Sequence, residues 1–444
     1  MKKLSTGLTF FIAIFLLSKE TIAQFKVTGQ YRPRFEYRDG FYQPADSLTQ
    51  GVGFVDQRTR LNFGYNNDSY EFYLSLQDIR VWGNTSQLNR SDGYSSVHQA
   101  WARVKLNQKW GLKLGRQEII LDDHRIFGNV DWATQARSHD AAMIMYSDST
   151  FQAKLSVAYN AAGPSVFNQY YGVAKSYKSF QFLWLHKDFG ESLDASFLFL
   201  NNGIQVATGT DAAGNVIHWK DNYSQTAGTR LTFKSDMIDA RLNFYYQFGT
   251  APDAANSQIN ALNINPEIAF KATKKLKFVL GYEYLSGQSQ TDTTRAYTDV
   301  NHAFNPFYGT NHKFNGHMDY FYVGNHINNV GLQDAYLKIQ YKTKKFNVGV
   351  DGHYFMSAAD VLDVEEQTKT GNIQAMDPGL GIEFDLYGGF KIVDAVSMKL
   401  GLSYMANTET MIAVKGSGQT SEPSYWGWAM VIIKPTLFDS ATKK

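Results

Sequence analysis

The sequence predicts an all-β fold, a transmembrane antiparallel β-barrel of about eighteen strands with short periplasmic turns and long extracellular loops. Three observations predict it. Apolar and polar residues alternate with period two along one segment after another, tight turns alternate with long polar connections, and an export signal precedes both.

Met1-Lys2-Lys3 leads into an apolar run from Leu8 to Leu17, and Thr21-Ile22-Ala23 follows before Gln24. A basic start, a short apolar core and small residues at a cleavage-like spacing read as a secretory signal peptide over residues 1–23. The apolar run is shorter than the roughly 20 residues a helix needs to cross a bilayer, and no later stretch approaches that length. No Pro/Gly/Ser linker or break in composition divides the rest, so residues 24–444 are expected to form one barrel domain. The chain has no cysteine, so disulfides do not stabilise it even in the oxidising compartment to which the signal directs it.

The first strand is the clearest. Phe25, Val27, Gly29, Tyr31, Pro33, Phe35 and Tyr37 alternate with Lys26, Thr28, Gln30, Arg32, Arg34 and Glu36. Period two places the two sets on opposite faces, whereas an amphipathic helix would space its apolar residues three and four apart and would not accept Pro33 in its interior. The same dyad recurs over 151–160, 238–247, 276–284, 335–341, 346–354, 380–386 and 396–404. Tight turns such as Asn66-Asn67-Asp68, Ser147-Asp148-Ser149 and Ser235-Asp236 interleave with long polar stretches at 38–54, 202–223, 286–330, 357–378 and 406–424. In the last strand, Trp426 and Trp428 are expected in an interfacial aromatic girdle.

Aromatics are 15% of the chain, with 27 Tyr and 31 Phe, yet its mean hydropathy is slightly polar. That combination suits an apolar outside around a polar inside. Removing Lys2, Lys3, Lys19 and Glu20 from the 43 basic and 41 acidic residues leaves the two signs balanced, so bulk charge points to no partner and no nucleic acid is expected. The distribution of charge is more informative, because 11 of the 14 arginines lie before residue 138. Arg32, Arg34, Arg58, Arg60 and Arg103 occupy the polar phase of their strands. A lipid-facing charge near midplane costs about 2–4 kcal/mol, so these side chains are expected to point into the lumen. Guanidiniums there can grip carboxylates through paired hydrogen bonds and draw anions through; equally, they can pair with Glu36, Asp56, Asp78, Glu118 and Asp140. Alternation slips after Leu76 and after Leu114, which suggests bulges or strand ends that re-aim charged groups.

The runs Gln77-Asp78-Ile79-Arg80-Val81-Trp82-Gly83, Gly115-Arg116-Gln117-Glu118, Asp123-His124-Arg125 with Trp132, and Arg137-Ser138-His139-Asp140 resemble the alginate export family of outer-membrane porins. So do His312 to Phe321 and the ending Lys434-Pro435-Thr436-Leu437-Phe438. The resemblance implies an eighteen-stranded monomeric barrel in the Gram-negative outer membrane. Its narrow arginine-rich lumen would pass an anionic polyuronate, with loops gating either mouth. By position, Arg80, Arg116, Arg125 and Arg137 would be basic groups of that lumen and Asp78, Glu118 and Asp140 their acidic neighbours. Leu121-Asp122 and His139-Asp140-Ala141 depart from the family pattern and bear on the substrate.

Catalysis is not expected. Asp122-Asp123-His124 and His139-Asp140 bring histidine beside carboxylate, but adjacent strand residues point to opposite faces and do not converge. No Gly-x-Ser-x-Gly elbow, His-Glu-x-x-His motif or phosphate loop occurs. No cofactor is expected. His302, His312, His317, His326 and Asp319 fall in one long loop, where either a divalent ion or ordinary solvated hydrogen bonding would account for them. The resulting expectation is passive, anion-favouring passage of an acidic oligo- or polysaccharide or other small anionic solute. A general small-solute porin and a surface adhesin are the alternatives.

Overall fold

Along β1 (Gln24–Asp39) the predicted dyad is realised. Gln30, Arg32, Arg34 and Glu36 are buried, while Tyr31, Phe35 and Tyr37 stand on the outer surface. The computed structural model describes residues 23–441 except 174–175, 323–325, 327–328 and 417–421, so the proposed signal segment lies almost wholly outside the described residues.

The chain continues through β2 (Val52–Asn66), β3 (Tyr70–Val81), β4 (Ser95–Lys105), β5 (Trp110–Gln117), β6 (His139–Ser147), β7 (Phe151–Tyr159), β8 (Ser179–Phe189), β9 (Leu193–Thr210) and β10 (Val216–Lys234). Then come β11 (Ile238–Thr250), β12 (Gln258–Lys271), β13 (Leu276–Leu285), the two-residue β14 (Val300–Asn301), β15 (Leu332–Lys342), β16 (Phe346–Met356), β17 (Gly379–Val393), β18 (Val396–Asn407), β19 (Ser424–Ile433) and β20 (Thr436–Asp439). Each wall strand pairs antiparallel with its neighbours, β13 pairs with β15, and β1 pairs with β19, which closes an eighteen-stranded barrel. Closure removes the free edge that an open sheet could not leave unpaired in lipid. β20 continues along the lower part of β1, pairing at Lys26, Val27 and Thr28.

One rim carries short turns with a recurring chemical device. Asn67, Asn107 and Asp148 each accept, through a side-chain oxygen, the backbone N–H groups two and three residues on, at 2.8–3.0 Å. Thr273 and Thr343 do the same through their hydroxyls. Such local caps reverse the chain within a few residues. The opposite rim carries the long loops.

Three expectations change. The stretch 202–223 is mostly strand: β9 and β10 run on as a ribbon to a turn at 211–215. Trp426 faces inward, fully buried, with its indole N–H donating to Glu36 at 2.9 Å, and Trp428 points inward beside it. The inside is also far from uniformly polar. Phe180, Phe182, Leu198, Leu200, Tyr245 and Phe355 point inward and form an apolar core with Phe127 of the 118–138 loop and Met318 and Tyr320 of the 286–331 loop. Those two loops fold into the barrel because they carry large apolar residues that water would otherwise surround.

Candidate functional site

β1 and β2 pair in a register that sets Arg32 against Arg58, Gln30 against Arg60 and Arg34 against Asp56. Residues directly opposite in an antiparallel pair share a face, so the register gathers four guanidiniums on one inner patch. Like charges at this spacing repel unless something negative lies across them. Here that is the segment Asp131–Gln135 of the 118–138 loop, which crosses the patch as a strap.

Arg32 donates to the carbonyls of Asp131 (2.6 Å) and Trp132 (3.1 Å), Arg34 to that of Trp132 (2.6 Å), and Arg60 to that of Gln135 (3.4 Å). The Asp131 carboxylate lies 2.7 Å from Arg58, 3.8 Å from Arg60 and 3.9 Å from Arg32. Burial alone would push the pKa of this carboxyl up, yet Arg58, Arg32 and Arg60 outweigh it and hold Asp131 below the usual aspartate range. Thr134 donates to Asp56, and Arg34 is shared between Glu36 (2.7 Å) and Asp56 (3.5 Å). Arg34 also lies 4.1 Å over the Trp132 ring, which stacks on His312 of the other inward loop at 4.5 Å.

The strap is tied in turn to the 286–331 loop. Gly128 N–H donates to the Tyr308 carbonyl at 2.8 Å, and Thr310 N–H to that of His124 at 2.9 Å. A Cβ on Gly128 would overlap the Thr310 hydroxyl, so glycine is required at this crossing. Arg125 is buried between the loops and the wall, paired with Glu283 at 2.8 Å and stacked on Phe314. Arg137 donates to the Gly309 carbonyl at 3.1 Å, and Glu118 accepts from Asn129 at 3.0 Å and lies 2.8 Å from His98.

Not every expected lumen residue is in the lumen. Arg80 and Asp78 pair with each other on the outer face near the end of β3, where Asp92 joins them. Arg116 and Asp140 form a bidentate pair at 3.0 and 2.7 Å, half-exposed on the outer face where β5 ends and β6 begins. Both slips lie toward the long-loop ends of their strands, the first beside a register shift between β3 and β4 at Ser75/Leu76, and both pairs sit where headgroups and water can solvate them. Arg103 does point inward, but near the short-turn rim, 3.5 Å from Glu71.

Sequence reasoning missed a second inner patch. Glu283, Asp334, Asp351, Glu383 and Asp385 are all buried on β13, β15, β16 and β17. Asn315 donates to Glu283 (2.8 Å) and Asp334 (3.2 Å), and Met318 N–H donates to Glu383 (2.8 Å). The signal was present, since each carboxylate occupies the polar phase of its strand. The histidines do not form a solvated loop: His312 lies 2.9 Å from Asp319, His317 3.7 Å from Asp385, and His326 2.9 Å from the Gly331 carbonyl, all packed inside the barrel. Among the described residues no group of three or more His, Asp or Glu is arranged to hold a metal ion.

On the short-turn side of the strap opens a chamber of about 720 Å³, bounded by Asp131 and Trp132 above and by Arg230, Arg241, Lys277, Lys338 and Lys399 around the wall. It adjoins a second space of about 500 Å³ that shares Arg230, Arg241, Glu267 and Lys277.

Residues 24–418 match the family model described as alginate export. Among solved structures, OccAB4 of Acinetobacter baumannii is similar, with 12% identity and a TM-score of 0.60 over 94% of this chain and 99% of that one. OpdK of Pseudomonas aeruginosa, solved with vanillate, is 10% identical with a TM-score of 0.58 over 94% and 99%. OccD3 (OpdP) of the same organism is 11% identical with a TM-score of 0.60 over 93% and 92%. At such identities the likeness concerns fold. No curated protein sequence matches.

Proposed function

This chain belongs to the alginate export family and is an outer-membrane β-barrel channel, and on that premise we propose that it passes an acidic oligo- or polysaccharide along the guanidiniums of Arg32, Arg34, Arg58 and Arg60. One observation carries the proposal: Arg32, Arg58 and Arg60 already hold a carboxylate, that of Asp131, and Arg32 and Arg34 hold the carbonyl oxygens beside it. A uronate offers the same atoms, a carboxylate flanked by oxygens, and paired charge-assisted bonds recognise it. Because several weak contacts replace one deep site, a moving anion leaves as easily as it enters.

Arg125 and Arg137 hold the loops and stand outside the track, and the outward pairs of Arg80 and Arg116 face lipid headgroups. The barrel would act as a monomer, since its wall is closed without a second copy, and residues 1–23 would be removed on export. Planar-bilayer recording tests the reading. Anion-favouring conductance blocked by added polyuronate, with the block weakened in Arg32→Gln/Arg58→Gln, supports it. Indifference of the unaltered channel to polyuronate overturns it.

A second reading is favoured by the apolar packing of the two inward loops, which narrows the passage: a small carboxylate as the main solute. Vanillate, with which the similar OpdK was solved, is of that class. Permeation of a monocarboxylate that is unaffected by polyuronate would select it.

A further inference from the structure

The chamber beneath the strap has a feature that its overall charge conceals. Every carboxylate lining the larger space has a cationic partner: Asp123 with Arg230, Asp131 with Arg58, Glu267 with Arg241, Glu283 with Arg125, and Asp351 with Lys338. Lys313 donates to the Asp123 carbonyl at 2.9 Å. Lys277 and Lys399 also line the chamber, and among the described residues neither has a carboxylate within ion-pair distance. They are the second residue of β13 and the fourth of β18, so both stand close to the short-turn mouth.

Four strand spacings separate β13 from β18, which at about 4.8 Å each puts the two strand backbones roughly 19 Å apart along the wall. Between and beside them, Tyr336 on β15, Tyr387 on β17 and Trp428 on β19 line the same space. Going round the wall, the order is lysine, tyrosine, tyrosine, lysine, tryptophan. Aromatic faces take the C–H side of a sugar ring, and a free ammonium takes a carboxylate as a flexible point charge.

We infer that this chamber is a separate acidic-saccharide binding site on the periplasmic side of the strap, in which Lys277 and Lys399 take carboxylates of one oligo-uronate chain and Tyr387 and Trp428 support its rings. The inference rests on the acidic-saccharide reading of the channel. It adds an antechamber that loads the substrate from the short-turn side before the chain meets the arginines.

The test is sided block of single channels in planar bilayers, using a hexameric oligo-uronate and the monomer glucuronate. The chain has no cysteine, so Ala212→Cys in the 211–215 turn gives a unique biotin tag whose streptavidin response reports orientation. With Lys277→Gln/Lys399→Gln, the on-rate of hexamer block from the short-turn side should fall about tenfold, as expected when two steering charges are lost, while block from the long-loop side holds. Lys277→Arg/Lys399→Arg should restore it, which separates lost charge from a misfolded barrel. Glucuronate, too short to bridge the lysines, should lose much less. Equal loss from both sides, no loss, or equal loss for monomer and hexamer overturns the antechamber while leaving the channel reading intact. An unaltered channel that the hexamer blocks from neither side overturns both.

Discussion

Arg32 on β1 and Arg58 on β2 stand directly opposite each other, both buried, and the carboxylate of Asp131 from the 118–138 loop lies within 4 Å of both. Two guanidiniums at cross-strand distance destabilise the wall unless a counter-charge covers them, and the strap supplies that charge while also filling the place where a substrate anion would bind. The strap therefore stabilises the arginine patch and, on the proposed reading, would compete with an anionic cargo for it.

Asp131→Asn removes the counter-charge and keeps the shape. The variant should keep its barrel and lose about 1 kcal/mol of strap stability, a value discounted because the carboxylate is half-exposed. Larger single-channel conductance and stronger anion preference are the expected readouts. Conductance at or below that of the unaltered protein would mean that the strap does not obstruct the path.

Inward and outward arginines should separate cleanly in function. Arg58→Gln removes charge-assisted bonds worth about 1.5–3 kcal/mol, so polyuronate block should weaken roughly 10- to 100-fold. Arg80→Gln and Arg116→Gln alter pairs on the outer face and should leave block unchanged. Measuring block constants for the three variants in one lipid checks this, and a comparable loss in Arg116→Gln would put that side chain on the permeation path.

The contrast between these arginines shows how far sequence reaches. Alternation along β1 and β2 identifies Arg32, Arg34, Arg58 and Arg60 as inward because Tyr31, Pro33 and Phe35 in β1 and Val55, Leu61 and Phe63 in β2 fix the opposite phase. Arg80 and Arg116 lie at strand ends, where the bilayer no longer penalises an outward charge and residue type stops reporting direction. The inward course of two loops was less legible still, although Ile119, Ile126 and Phe127 are apolar beyond what a solvated loop needs. Their docking depends on inward-facing aromatics such as Phe180 and Phe182, from a strand distant in sequence.

Trp426 and Trp110 offer a paired test of which tryptophans face lipid. Trp426 is buried against Phe41 and Trp132 and donates to Glu36, so Trp426→Ala should cost about 3–5 kcal/mol in urea unfolding from lipid vesicles. Trp110 is exposed at the short-turn rim, edge-on to Tyr146, and its removal should cost far less. Equal costs would return Trp426 to an interfacial girdle.

Acid should loosen the strap, and the sign follows from the Asp131 carboxyl. Its folded-state pKa is held below the usual aspartate value by Arg58, Arg32 and Arg60 against the opposing effect of burial. The stabilisation is therefore fully present above the unfolded value of about 3.9 and is lost as pH falls through the lower folded value. The guanidiniums stay charged throughout, so protonation leaves them facing a neutral partner. Conductance recorded from pH 8 down to pH 3 should stay level until the acid end and then rise, with anion preference rising alongside it. Asp131→Asn should already show the raised level at neutral pH and should not respond further. A midpoint near pH 6 instead would show that a group other than Asp131 governs the transition.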